Sequence, residues 1–80
     1  MSVVFRHNEY WFHFLLSEDD PREPIHVHVT GDNADAKFWL HPKVTVAYDR
    51  GFSSLEQAQL IAVIEERRED IERAWHEHFG

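Results

Sequence analysis

Residues 25–30 read Ile-His-Val-His-Val-Thr, six positions in which apolar and polar side chains alternate without a break. Such alternation marks a strand with two unlike faces, because successive side chains point to opposite sides of a sheet. Ile25, Val27 and Val29 fall on one side, and His26, His28 and Thr30 on the other. Gly31, Asp32 and Asn33 follow, residues suited to a tight hairpin turn. Residues 34–40 (ADAKFWL) then read as the returning strand. Upstream, residues 10–16 (YWFHFLL) have the aromatic and large apolar composition of a strand. That strand runs into a charged loop with Pro21 and Pro24, neither of which can donate to a sheet ladder. Downstream, His41-Pro42 breaks the pattern and residues 43–49 (KVTVAYD) supply a fourth strand.

Beyond Gly51 the period changes to that of a helix. Ser53 followed three residues later by Glu56 is the signature of a capping box. Neither Gly nor Pro occurs from there to Phe79. Leu60, Ile64, Ile71, Trp75 and Phe79 fall within about one quadrant of a helical wheel, a single buried stripe. One helix over residues 53–79 would span about 40 Å, more than the roughly 30 Å expected across so small a domain. Arg67 and Arg68 interrupt the stripe at its middle, so the segment is expected to break near 67–69. The expected fold is a single α+β domain. It has an antiparallel sheet of three to four strands over residues 10–49 and a helical segment over 53–79 packed on one sheet face.

Composition narrows the function. The chain has 80 residues, 15 acidic against 8 basic, a formal charge of −7. That balance argues against direct binding of nucleic acid by phosphate neutralisation. With 42% hydrophobic residues the chain has the makings of a core and is not a disordered one. The absence of Cys excludes disulfides, a thiolate zinc site and a cysteine nucleophile. The opening residues MSVVFRHNEY lack the apolar stretch of a secretory signal, and no run approaches the ~18 residues of a membrane span. A soluble cytoplasmic protein is expected.

Sorting the strands by alternation gives one almost wholly apolar set: Phe12, Phe14, Leu16, Ile25, Val27, Val29, Ala36, Phe38, Leu40, Val44, Val46 and Tyr48. This is the face for the helices to cover. The opposite set holds Trp11, His13, His26, His28, Lys37, Trp39 and His41, and so gathers four of the seven histidines and two of the three tryptophans. His26, His28, His13, Trp11, Trp39 and Lys37 are the candidate binding residues. Three readings stand beside one another. The face is simply solvated, its residues chosen for strand propensity. Or it is a contact surface for another small protein or a second copy of the chain, since Trp is enriched at interfaces. Or it is a metal or catalytic site. In the first two no cofactor is needed. The third rests on His26 and His28, about 7 Å apart along a strand, with His13 on the neighbouring strand as third ligand to a divalent metal such as zinc and Glu23 as a nearby carboxylate.

The remaining marked residues read as structural. Trp75 belongs to the core stripe, His76 and His78 to the last helical turn, where positive charge is favourable. Glu65, Glu66, Glu69, Asp70 and Glu72 form a solvated acidic face, with Arg67 and Arg68 pairing to it at the helix break. His28-Val29-Thr30 matches one half of a two-histidine phosphoesterase signature, but the second copy is absent. No glycine-rich phosphate loop or nucleophile–base set occurs.

The string EPIHVHV, the following AKFWL and the terminal IERAWHEHF together resemble the small bacterial domain-of-unknown-function family 4160, over residues 10–79. The family's Pro-His-x-His-Val strand is matched with one departure, Ile25 between Pro24 and His26. That family has no established activity. Its members often lie beside the gene of another small protein, of domain-of-unknown-function family 2442, in an arrangement like that of toxin–antitoxin pairs. The resemblance therefore implies a small regulatory module that binds a protein partner, with His26 and His28 as its site positions. The alternative is a metal-dependent hydrolase or nuclease built on the His-x-His strand.

Overall fold

The computed structural model describes residues 2–15 and 23–80. Five strands run in chain order as an antiparallel meander: β1 (Ser2–His7), β2 (Tyr10–Phe14), β3 (His26–Thr30), β4 (Asp35–Trp39) and β5 (Thr45–Arg50). Two helices follow, α1 (Ser54–Glu66) and α2 (Arg68–Phe79). The α+β class holds, but the strand count is five rather than three to four. The additional strand is β1. It joins β2 through Asn8 and Glu9, with Asn8 at a φ of 56°, a conformation that Asn tolerates better than most residues. A bulge hides this strand from an alternation reading. Val3 pairs with His13 and Phe5 with Phe12, so Val4 is an inserted residue and Val3 and Phe5 lie on opposite faces.

A second bulge corrects one residue of the apolar set. Lys37 pairs with Tyr48 but Phe38 pairs with Val46, leaving Ala47 as the extra residue. Tyr48 therefore lies on the histidine face, while Val46 stays with the core. Leu16 and residues 17–22 of the charged loop lie outside the described residues.

The core forms where the apolar face meets the helices. Phe12, Val27, Val29, Ala36 and Phe38 are wholly buried, packed with Phe5, Phe14, Leu40 and Val44 against Leu60, Ile64, Ile71 and Trp75. Phe5 and Phe12 stack at 4.5 Å between ring centroids. The capping box is present: Ser53 Oγ accepts from the Glu56 backbone N–H at 3.1 Å, and the Glu56 carboxylate accepts from the Ser53 N–H at 2.8 Å. Asp49 ties the end of β5 to α1, accepting from the Phe52 N–H at 3.0 Å and from Gln57 Nε2 at 2.7 Å.

The helical segment breaks at Arg67, whose φ of −101° and ψ of 16° leave the helical region. Its guanidinium lies 3.9 Å over the Phe5 ring and pairs with Asp70 at 3.2 Å. The break folds what would be a long rod into two helices that fit a body of 33 × 24 × 20 Å. His41, expected on the histidine face, instead turns to α2. Its Nε2 donates to Glu72 at 2.7 Å and its Nδ1 accepts from Arg68 at 2.8 Å. The reason is that β4 ends at Trp39, so the alternation no longer governs position 41. Neither helix is long and apolar enough to cross a membrane.

Candidate functional site

The strand registers arrange the second sheet face into rows that cross the sheet. One row is Arg6–Trp11–Thr30–Asp35–Arg50, one residue from each strand. The next is Val3–His13–His28–Lys37–Tyr48. A third holds His26–Trp39–Thr45. The sequence-derived candidates thus do come together: His13, His28 and Lys37 share a row, and His26 and Trp39 share the next.

They do not, however, form an open face. His13, His26, His28 and Lys37 are 4%, 2%, 3% and 8% exposed. Alternation assigns a side chain to a face but does not say whether that face is covered, which is why the expectation of an open patch fails here. The described neighbours that shield the histidines are largely rings. His13 stacks on His28 at 5.7 Å, and His26 meets His28, Trp39 and Trp75 edge-on at 5.3, 5.5 and 5.1 Å. Lys37 lies with its ammonium 4.5 Å from the Trp39 ring centroid and 3.3 Å from Glu23. Glu23 is thereby engaged with Lys37.

One nitrogen of each of the three imidazoles is engaged within the fold. His26 Nδ1 donates to the Pro24 carbonyl at 2.9 Å. His13 Nε2 shares a hydrogen bond of 2.8 Å with Thr30 Oγ1, and His28 Nδ1 lies 3.5 Å from the Tyr48 hydroxyl. His13 Nδ1 is buried and has no hydrogen-bond partner among the described residues. Burial holds the His13 imidazole below the ordinary histidine range; the Phe14 backbone and Asp35 pull weakly the other way. Among the described residues no group of three His, Cys, Asp or Glu side chains is placed to hold a metal ion.

The accessible part of this face is the first row and its border. Val3 and Trp11 are 43% and 39% exposed, two of the three exposed large hydrophobic residues among those described, and they lie on adjacent rows of the same face. The Arg6 guanidinium covers the Trp11 ring at 4.7 Å, and that of Arg50 covers Tyr48 at 4.6 Å. Trp11 was among the candidate residues read from the sequence. Val3 and Arg6 were not, because the bulge in β1 scrambles their alternation, and Tyr48 was misplaced for the same reason.

A separate cleft of about 260 Å³ opens at one end of the sheet, between Tyr10, Asp32, Phe52 and Glu56. The Tyr10 hydroxyl donates to Glu56 there at 3.1 Å, which pushes the phenol pKa up. Glu56 is held low, first by the Ser53 backbone N–H and then by the hydroxyls of Ser53 and Tyr10.

The model of the family described as "Domain of unknown function (DUF4160)" matches residues 10–76. The chain belongs to DUF4160. The matched span takes in all three histidines of the face, Lys37, Trp39 and Trp75, and starts at Tyr10. In this DUF4160 chain β1, with Val3 and Arg6, therefore lies outside the match. No curated protein and no solved structure matches the chain.

Proposed function

We propose that this DUF4160 chain is a protein-binding regulatory module, the toxin–antitoxin-like partner of another small protein, and that it binds through the Trp11 end of the histidine face. One observation carries the reading. Val3 and Trp11 expose apolar surface on adjacent rows of a sheet face whose histidines are buried, with the Arg6 guanidinium laid on Trp11. Aromatic and arginine side chains are the residues in which binding energy concentrates at protein interfaces. The buried histidines on the adjoining rows of the same face are its rigid part, and their role is to hold Trp11 and its neighbours in place.

The metal-dependent alternative finds less support. His13 and His28 are in ring contact with each other, and no group of three His, Cys, Asp or Glu among the described residues is placed to hold an ion. His26 Nδ1 and His13 Nε2 are engaged with Pro24 and Thr30.

Co-expression of the chain with a small protein of domain-of-unknown-function family 2442 tests the proposal. The expected result is a complex that survives size-exclusion chromatography and protects the backbone amides of β1 and β2 from hydrogen exchange. A complex whose protection is confined to the helices, or no complex at all, overturns the reading.

A further inference from the structure

The row Arg6–Trp11–Thr30–Asp35–Arg50 is chemically unlike the chain as a whole. The chain carries a net −7, yet this row ends in a guanidinium at either side of the sheet. Among the described residues no carboxylate pairs with Arg6, which rests on the Trp11 ring. Arg50 is held by Asp35 at 3.8 Å, with the two side chains 72% and 41% exposed. An ion pair that open contributes little, so Arg50 exchanges it readily for another carboxylate. Four strand spacings of about 4.8 Å put the two arginine backbones roughly 19 Å apart, which an extended segment covers in about six residues. Between them lies the exposed Trp11 ring, with Val3 on the adjoining row.

We infer that this row docks an extended acidic segment of a partner protein, with carboxylates near its two ends against Arg6 and Arg50 and an apolar side chain between them on Trp11 and Val3. The inference rests on the reading of the face as a protein-binding surface and adds the chemistry of what it binds. A nucleic-acid strand fits the same row less well. Its evenly spaced phosphates meet Asp35, next to Arg50 in the row, and the chain's net charge opposes a polyanion more strongly than a segment with two carboxylates within the ~10 Å range of unscreened charge. A peptide can place its charges only where the arginines are.

The test uses the full chain, isotopically labelled, and three probes. The first is a heptapeptide with Glu at both ends and Leu-Phe-Leu at its centre; the second replaces each Glu with Lys; the third is a dodecamer of thymidylate. The acidic peptide is expected to shift the amide resonances of Arg6, Thr30 and Asp35 and the indole resonance of Trp11, and to bind at least about tenfold more tightly than the other two. In the double variant Arg6→Glu/Arg50→Glu, with amide resonances elsewhere unmoved, that affinity is expected to fall by about tenfold or more. Equal binding of the lysine peptide, tighter binding of the oligonucleotide, unchanged binding by the double variant, or no shift at about 1 mM acidic peptide each overturns the inference. A small protein of domain-of-unknown-function family 2442 separates the two readings. If it binds the double variant but not Trp11→Ala, the face is the interface and the acidic chemistry is wrong. If it binds both variants, both readings fall.

Discussion

His13 and His28 stack across the β2–β3 pairing, ring centroids 5.7 Å apart and planes 20° apart, each almost wholly buried. Protonating one imidazole of such a pair places a charge in a desolvated site beside a second titratable ring. The consequence is a definite sign. Burial depresses the His13 pKa in the folded chain, whereas in the unfolded chain it returns to its ordinary value near ~6.5. Between the two values the unfolded state binds more protons, so stability is full above about pH 6.5 and falls as pH drops toward and through the folded pKa. His13→Gln retains a nitrogen for Thr30 Oγ1 and removes the titration. The urea midpoint of this variant is expected to fall less steeply than that of the parent between about pH 6.5 and 5. Parallel pH profiles would show that His13 contributes nothing to the acid limb.

Trp75 joins three parts of the fold. Its ring meets Phe14 of β2 at 5.4 Å, His26 of β3 at 5.1 Å and Phe79 of its own helix at 4.4 Å, and it is 7% exposed. Trp75→Ala removes all three contacts and leaves a cavity, a loss of about 3–5 kcal/mol. A domain of this size holds only about 4–12 kcal/mol in total. Urea unfolding is expected to find the variant at the edge of stability at 25 °C. A midpoint within about 1 kcal/mol of the parent would place the indole outside the core.

Gly51 sits where β5 turns toward α1, with a φ of 108°. A Cβ there would lie 2.9 Å from the Asn33 carbonyl oxygen and 3.1 Å from the Ala34 side chain. Both the conformation and the space are thus closed to alanine. Gly51→Ala is expected to cost about 1–3 kcal/mol, or roughly 4–8 °C in melting temperature per kcal/mol. An unchanged melting temperature would mean that the turn rearranges freely.

What the sequence made legible and what it concealed follow from the same rule of alternation. The strand around Val27 and Val29, its hairpin at Gly31, the cap at Ser53 and the break at Arg67 are local, each fixed by a few adjacent residues. β1 and the side of Tyr48 were lost to bulges, because one inserted residue, Val4 or Ala47, reverses every face assignment beyond it. The histidines were assigned to the right face and to the right neighbours. Their burial was not legible, since coverage depends on what packs over a face and not on its period.

Burial separates the roles of two candidate residues of the histidine face, His26 and Trp11, and this yields the last prediction. His26 is 2% exposed, donates to the Pro24 carbonyl and packs against Trp39 and Trp75. His26→Ala leaves that carbonyl without its imidazole donor and opens space beside two indoles, so it is expected to cost about 1–3 kcal/mol. Trp11 is 39% exposed, and its chief described contact is the Arg6 guanidinium above its ring. A surface change of this kind costs within about 0.5 kcal/mol, with the cation–π contact adding roughly 0.5–1 kcal/mol. Trp11→Ala is therefore expected to fold normally and to lose partner binding, by about 2 kcal/mol or more if the ring is an interface anchor. Calorimetric titration of both variants with the co-expressed partner, alongside thermal melts, checks the contrast. A Trp11→Ala chain that binds like the parent, or a His26→Ala chain as stable as the parent, would reverse the assignment of exposed anchor and buried support.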